Sequence, residues 1–199
     1  MHGLSPSGDL PEAASRLSLA HKAELNMIRT SALCLFLAAL PGMAPAAGGF
    51  TFASIDGGDL SMEAWQGQPV LVVNTASLCG FTAQYDELQV LHETYADRGL
   101  VVLAVPSDDF SQELSSAAEV KDFCEVNFGL TLPMTDITSV RGQTAHPFYR
   151  WLAAEHGFTP RWNFNKVLIG PEGEVLGTWG STVKPGSREI VEKIEAALE

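Results

Sequence analysis

The chain has 199 residues and a net charge of −12, with 24 acidic side chains against 12 Lys and Arg. No stretch concentrates Lys or Arg, which argues against a nucleic-acid surface or an anionic-membrane surface. Three cysteines are too few for a disulfide scaffold.

The first 46 residues read as a processing segment. Met27-Ile28-Arg29 is followed by an apolar stretch from Ser31 to Leu40 and then by Ala44-Pro45-Ala46. A charged start, an apolar run and a small-residue cleavage site are the parts of a bacterial secretory signal, so residues 27–46 are expected to direct the protein to the periplasm or outside the cell. If that signal is not used, the protein stays in the cytoplasm. The apolar run is shorter than the ~20 residues a bilayer span needs, so no stable membrane span is expected. Residues 1–26 are read as an extension, with Met27 as the expected initiator. Cys34 falls inside the segment to be removed, which leaves Cys79 and Cys124 as a candidate redox pair.

Residues 47–199, about 150, are the size of one ordinary domain with a real core. Phe50-Thr51-Phe52 and the turn Asp56-Gly57-Gly58 predict a short hairpin. Val70 to Val73 then reads as a buried parallel strand, and Thr82 to Arg98 as a helix with Tyr85, Leu88, Leu91 and Tyr95 on one face. Gly99 is placed to end that helix, ahead of a second strand from Leu100 to Val105. Ser116 with Glu119 forms a capping box for a helix to Asn127, closed by Gly129. Pro147 to Glu155 predicts another helix, with Phe148, Trp151 and Leu152 inward and Gly157 at its end. Lys166 to Ile169 and Glu174 to Thr178 flank the turn Pro171-Glu172-Gly173 and should pair antiparallel. Ser187 is placed to cap a last helix carrying Ile190, Val191, Ile194, Ala197 and Leu198 at helical spacing.

Strand, helix, strand, helix, then hairpin and helix is the order of an α/β thioredoxin-like fold, a mixed β-sheet flanked by helices. Its usual reactive position is the turn after the first core strand, and Cys79 occupies it. Unpaired N–H groups and the positive end of the helix macrodipole favour a thiolate there. The alternative is a buried, inert cysteine. Thr82 stands where a Cys-x-x-Cys motif would put its second thiol, which argues against a dithiol disulfide exchanger. His92, His146 and His156 lack the spacing of metal ligands.

Over residues 50–199 the chain resembles the glutathione peroxidase family. Asn74-Thr75-Ala76-Ser77-Leu78-Cys79-Gly80 is similar to the family's Asn-Val-Ala-Ser-x-(Cys or Sec)-Gly segment, and Trp162-Asn163-Phe164-Asn165-Lys166 to its Trp-Asn-Phe-x-Lys segment. The resemblance implies that Cys79 is the peroxidatic residue and that Gln112, Trp162 and Asn163 surround it. Pro106-Ser107-Asp108-Asp109-Phe110-Ser111-Gln112-Glu113 is one residue shorter before the Gln than the family's pattern, so Gln112 is either a site residue or a solvated loop residue. Trp162 could instead pack the core, and Asn163 could serve only as a turn former.

Asp122-Phe123-Cys124 is similar to the context of the resolving cysteine in the family's thioredoxin-using members. On that resemblance the Cys124 thiol condenses with a Cys79 sulfenic acid. The alternative is a packed residue, since Val120, Phe123 and Cys124 share an apolar face. The expected activity is reduction of hydrogen peroxide and organic hydroperoxides, with thioredoxin or a similar dithiol protein as reductant and glutathione as the alternative. No cofactor or metal is implied, and the short connection from Pro133 to Pro147 predicts a monomer. Two other readings are a peroxide sensor passing a Cys79–Cys124 disulfide to a partner, and a thioredoxin-like metal or cytochrome-maturation chaperone.

Overall fold

The computed structural model describes residues 47–199; the expected extension and signal segment, residues 1–46 with Cys34, lie outside the described residues. A hairpin of β1 (Thr51–Ala53) and β2 (Asp59–Ser61) precedes the core, antiparallel as expected. The main sheet has four strands in the order β4-β3-β5-β6, from β3 (Val70–Thr75), β4 (Val101–Pro106), β5 (Lys166–Ile169) and β6 (Val175–Trp179). β3 pairs parallel with β4 on one side and antiparallel with β5 on the other, and β5 pairs antiparallel with β6. The fully buried runs of central β3 and of β4 at the sheet edge are what strands covered on both faces require.

Alternation along β3 sends its side chains to two cores. Leu71 and Val73 join Tyr85, Leu88 and Leu91 of α1 (Gln84–Tyr95), Val120 and Cys124 of α2 (Ala117–Phe128), and Ile190 and Ile194 of α4 (Arg188–Ala197). Val70 and Val72 join Phe52 of the hairpin and Phe148, Trp151 and Leu152 of α3 (Pro147–His156). Burying some forty apolar side chains at roughly 25 cal/mol per Å2 is the main favourable term holding the layers together.

Helix ends follow their punctuation. Gly99, Gly129 and Gly157 all sit at positive φ, 105°, 60° and 62°, where a side chain would be strained. Ser116 accepts from the Glu119 N–H and donates to the Glu119 carboxylate, as a capping pair. Two expectations shift. The first helix begins at Gln84 rather than Thr82, after turns in which Gln84 and Tyr85 donate to the carbonyls of Phe81 and Thr82, and it ends at Tyr95 rather than Arg98, with Ala96–Arg98 as a 3-10 turn that Gly99 closes. Ser187 precedes α4, but its hydroxyl makes no capping bond; its carbonyl accepts from Val191 instead. Among the described residues no helix is long and apolar enough to cross a membrane.

Candidate active site

Cys79 lies four residues beyond β3, in the turn that leads to α1, and only 4% of it is exposed. Leu78 before it is 60% exposed, so the thiol sits just under the surface. Its carbonyl accepts from the Thr82 N–H at 3.2 Å, which closes the turn. Cys79 and Cys124 are both free thiols.

The shortened loop after β4 reaches this turn. The Leu78 N–H donates to the Gln112 carbonyl at 2.8 Å, and the Ser77 N–H donates to Glu113 Oε1 at 3.0 Å. The loop makes its bend with Ser111 at φ 54°, a left-handed conformation that costs a non-glycine residue energy. Gln112 is half-buried and its Oε1 accepts from Asn163 Nδ2 at 3.2 Å, while its own amide N–H groups meet no acceptor among the described residues.

The segment from Trp162 to Lys166 is held by Asn74, the fifth residue of β3. Asn74 Nδ2 donates to the Trp162 carbonyl at 3.0 Å, and its Oδ1 accepts from the Asn165 N–H at 3.1 Å. Asn165 adds a second donor to the Trp162 carbonyl at 2.8 Å. Phe164 is held at φ 59° and buried. Lys166, fully buried, gives its three ammonium donors to the carbonyls of Phe164 and Val183 and to Gln84 Oε1, so no proton is left unpaired. Burial lowers its pKa to about 8. Left-handed residues thus stand immediately before Gln112 and immediately after Asn163.

Trp162 is 40% exposed and leans on Phe110 with ring centroids 5.4 Å apart. It is a surface indole beside the loop and does not serve as a core residue. Asn163 is fully buried, and its carbonyl accepts from the Ser181 hydroxyl, so it does more than make a turn. The structure therefore joins Gln112 to Asn163 and pins the Gln112 backbone to the turn that carries Cys79.

Cys124 is fully buried on α2. Burial, with smaller contributions from Glu113 and Glu125, pushes its thiol up to about 11, against the opposing influence of the Tyr85 hydroxyl. On the far side it borders a small cavity of about 90 Å3 lined also by Ile55, Lys121 and Met134. Only Val120 and Cys124 of α2 are buried, with Phe123 and Phe128 packed partly against the core. A hydrogen-bonded Lys121–Asp56 ion pair ties the helix to the hairpin turn.

Two residues here escaped the sequence reading. Asn74 and Glu113 lay inside the quoted segments but carried no signal of their own, because their partners are distant in the chain.

Comparison with known proteins establishes the family and the fold. The glutathione peroxidase family profile matches residues 49–153. The hydroperoxy fatty acid reductase gpx1 of Synechocystis sp. is 38% identical over 161 residues, covering 75% of this chain and 94% of the relative. The glutathione peroxidase of Lactococcus lactis subsp. cremoris is 38% identical over 154 residues, covering 75% and 97%. Among solved structures, the apo crystal structure of Trgpx superposes with a TM-score of 0.62 at 32% identity, covering 78% of this chain and 97% of that one. T. cruzi GPX1 follows with a TM-score of 0.61 at 25% identity, covering 77% and 97%. With profile, relatives and fold in agreement, the chain belongs to the glutathione peroxidase family and is a thiol peroxidase that reduces hydroperoxides.

Proposed function

We propose that Cys79 is the peroxidatic residue, that Gln112, Trp162 and Asn163 serve it as uncharged donors, and that Cys124 is the resolving thiol. The Cys79 thiolate attacks the O–O bond of the hydroperoxide; its sulfur takes up the distal oxygen as a sulfenic acid and water or an alcohol leaves. The departing oxygen carries developing negative charge. Indole and amide N–H groups stabilise it without titrating across the physiological range. The single observation supporting this reading is the 3.2 Å hydrogen bond between Asn163 and Gln112, made by a loop whose backbone also bonds the turn of Cys79.

Cys124 then condenses with the sulfenic acid, releasing water and forming a Cys79–Cys124 disulfide. A disulfide needs Cα atoms within roughly 7 Å. The few buried residues of α2 leave the helix weakly anchored, which suits any rearrangement that step demands. A dithiol protein of the thioredoxin type reduces the disulfide. Glutathione is the weaker candidate, because an acidic chain offers little attraction to an anionic tripeptide. The protein acts as a monomer, and residues 27–46 direct its export.

Peroxide treatment followed by mass mapping tests this. Wild type should give a Cys79–Cys124 disulfide, Cys124→Ser a trapped sulfenic acid on Cys79, and Cys79→Ser no oxidation product at either position. Absence of the disulfide in wild type would remove Cys124 from the cycle and make glutathione the better reductant.

A further inference from the structure

The loop between β4 and α2 is tied to the end of β3 and to the turn of Cys79 by atoms of two kinds. The Ser107 N–H donates to the Thr75 carbonyl at 3.0 Å and the Leu78 N–H to the Gln112 carbonyl at 2.8 Å, both between main-chain atoms. A side chain makes the next bond: Glu113 Oε1 accepts from the Ser77 N–H at 3.0 Å. Two consecutive residues of the loop, Gln112 and Glu113, thus hold the two residues that precede Cys79.

Glu113 is buried, and it makes no ion pair among the described residues. A buried carboxylate without a cation is costly unless hydrogen bonds compensate it. Here they do. Oε1 accepts a second N–H, that of Leu114, at 2.8 Å, and the Glu113 N–H donates to Asp108 Oδ1 at 3.2 Å. The backbone of Glu113 is therefore fixed to the start of the loop, while its carboxylate joins the Cys79 turn to the residue that leads into α2. Between Asp108 and Glu113 lies Ser111 at φ 54°, a conformation that persists only where the surroundings enforce it.

We propose that Glu113 is a positioning residue, which holds the strained loop against the Ser77 N–H and so keeps the Gln112 amide in register with Cys79. The inference rests on the assignment of Cys79 and Gln112 given above. Glu113 acts through Gln112 and takes no part in bond making. Without its carboxylate the turn keeps the main-chain bond from Leu78, but Ser111 is free to relax, and Gln112 moves off Asn163 as it does so. A displacement of about 1 Å at a donor is enough to lower a rate by up to about 10²-fold.

The test is a double-mutant cycle on the rate at which Cys79 loses its thiol after one equivalent of hydrogen peroxide, read by rapid quench and mass analysis. That step precedes any part played by Cys124 or by the reductant. Glu113→Ala should slow it by about 10-fold or more. In a Gln112→Ala background the same substitution should add less than about 2-fold, because residues that act through one another are not additive. Glu113→Gln keeps an oxygen for both N–H groups and should hold the rate within about 3-fold of wild type. Its Tm should nevertheless fall, because the amide nitrogen takes the place of Oε2, which has no hydrogen-bond partner. Rate and stability then separate, which a purely structural role does not produce. Should Glu113→Ala fail to fold, Glu113→Asp, too short to reach Ser77, replaces it in the cycle. A full additive loss in the Gln112→Ala background, or a Glu113→Gln rate as slow as that of Glu113→Ala, overturns the proposal. If Gln112→Ala by itself leaves the rate unchanged, the assignment of Gln112 fails first and the proposal falls with it, so the two failures are distinguishable.

Discussion

The side-chain amide of Asn74 donates to the carbonyl of Trp162 across 3.0 Å, so the strand that leads to Cys79 also holds the loop that presents the indole. Pairing of Val73 with Lys166 in the sheet brings the two segments together, and Asn74, still within β3, continues that pairing onto Asn165 ahead of β5. Removing the clamp should therefore act on stability and activity at once. Asn74→Ala leaves the Asn165 N–H without its acceptor and should cost about 1–3 kcal/mol, read as a lower urea midpoint with unchanged slope. Peroxidase activity should drop in the folded variant although Asn74 reaches no substrate.

Gln112 and Asn163 should differ when truncated, although they share a hydrogen bond. Gln112 is half-buried on a surface loop, so Gln112→Ala should lower kcat/KM for hydroperoxide by about 10²-fold with little change in Tm. Asn163 is fully buried, and Asn163→Ala should show the same loss together with destabilisation. Equal Tm losses in both variants would show that the pair is only structural.

The thiols should be told apart by alkylation of the reduced protein at neutral pH. Cys124 is fully buried with its thiol pushed up to about 11, so almost none of it is thiolate. Cys79, beside exposed Leu78, should take iodoacetamide first, and mass mapping against time gives the order. Mild denaturant should speed Cys124 modification before global unfolding, because α2 buries so few of its residues.

Lys166 predicts a stability change in alkali. Its folded pKa, about 8, lies below the unfolded value near 10.5, so between those values the unfolded chain binds more protons. Its cost is fully present below pH 8 and is relieved as pH rises toward 10.5. Against Lys166→Met, which cannot titrate, wild type should gain relative stability over that window in urea titrations at stepped pH. A flat difference would show that Lys166 stays charged and fully compensated by its three acceptors.

Much of the architecture was readable from local signals. The four positions read as the inner face of α1, Tyr85, Leu88, Leu91 and Tyr95, are all buried, and the glycines read as helix ends adopt the left-handed conformation that role requires. Helix starts were less legible, because the turn between Cys79 and Gln84 depends on backbone hydrogen bonds that residue type does not announce. The contacts of the site were the hardest part. Gln112 meets Asn163 only because Ser111 bends the loop, and Lys166 is buried only because the segments carrying Gln84, Phe164 and Val183 converge on it.

From residue order alone came the thioredoxin-like layering, the place of Cys79 after the first core strand, and the family resemblance in two separated segments. Those depend on periodicity, turn residues and motif, which act over a few neighbours in the chain. Tertiary structure decided which donors stand together, that Cys124 is sealed from solvent, and that the buried Glu113 carboxylate holds the turn before Cys79 through the Ser77 N–H. Such facts come from burial and from hydrogen bonds between distant segments, and they exist only once the sheet has brought those segments side by side.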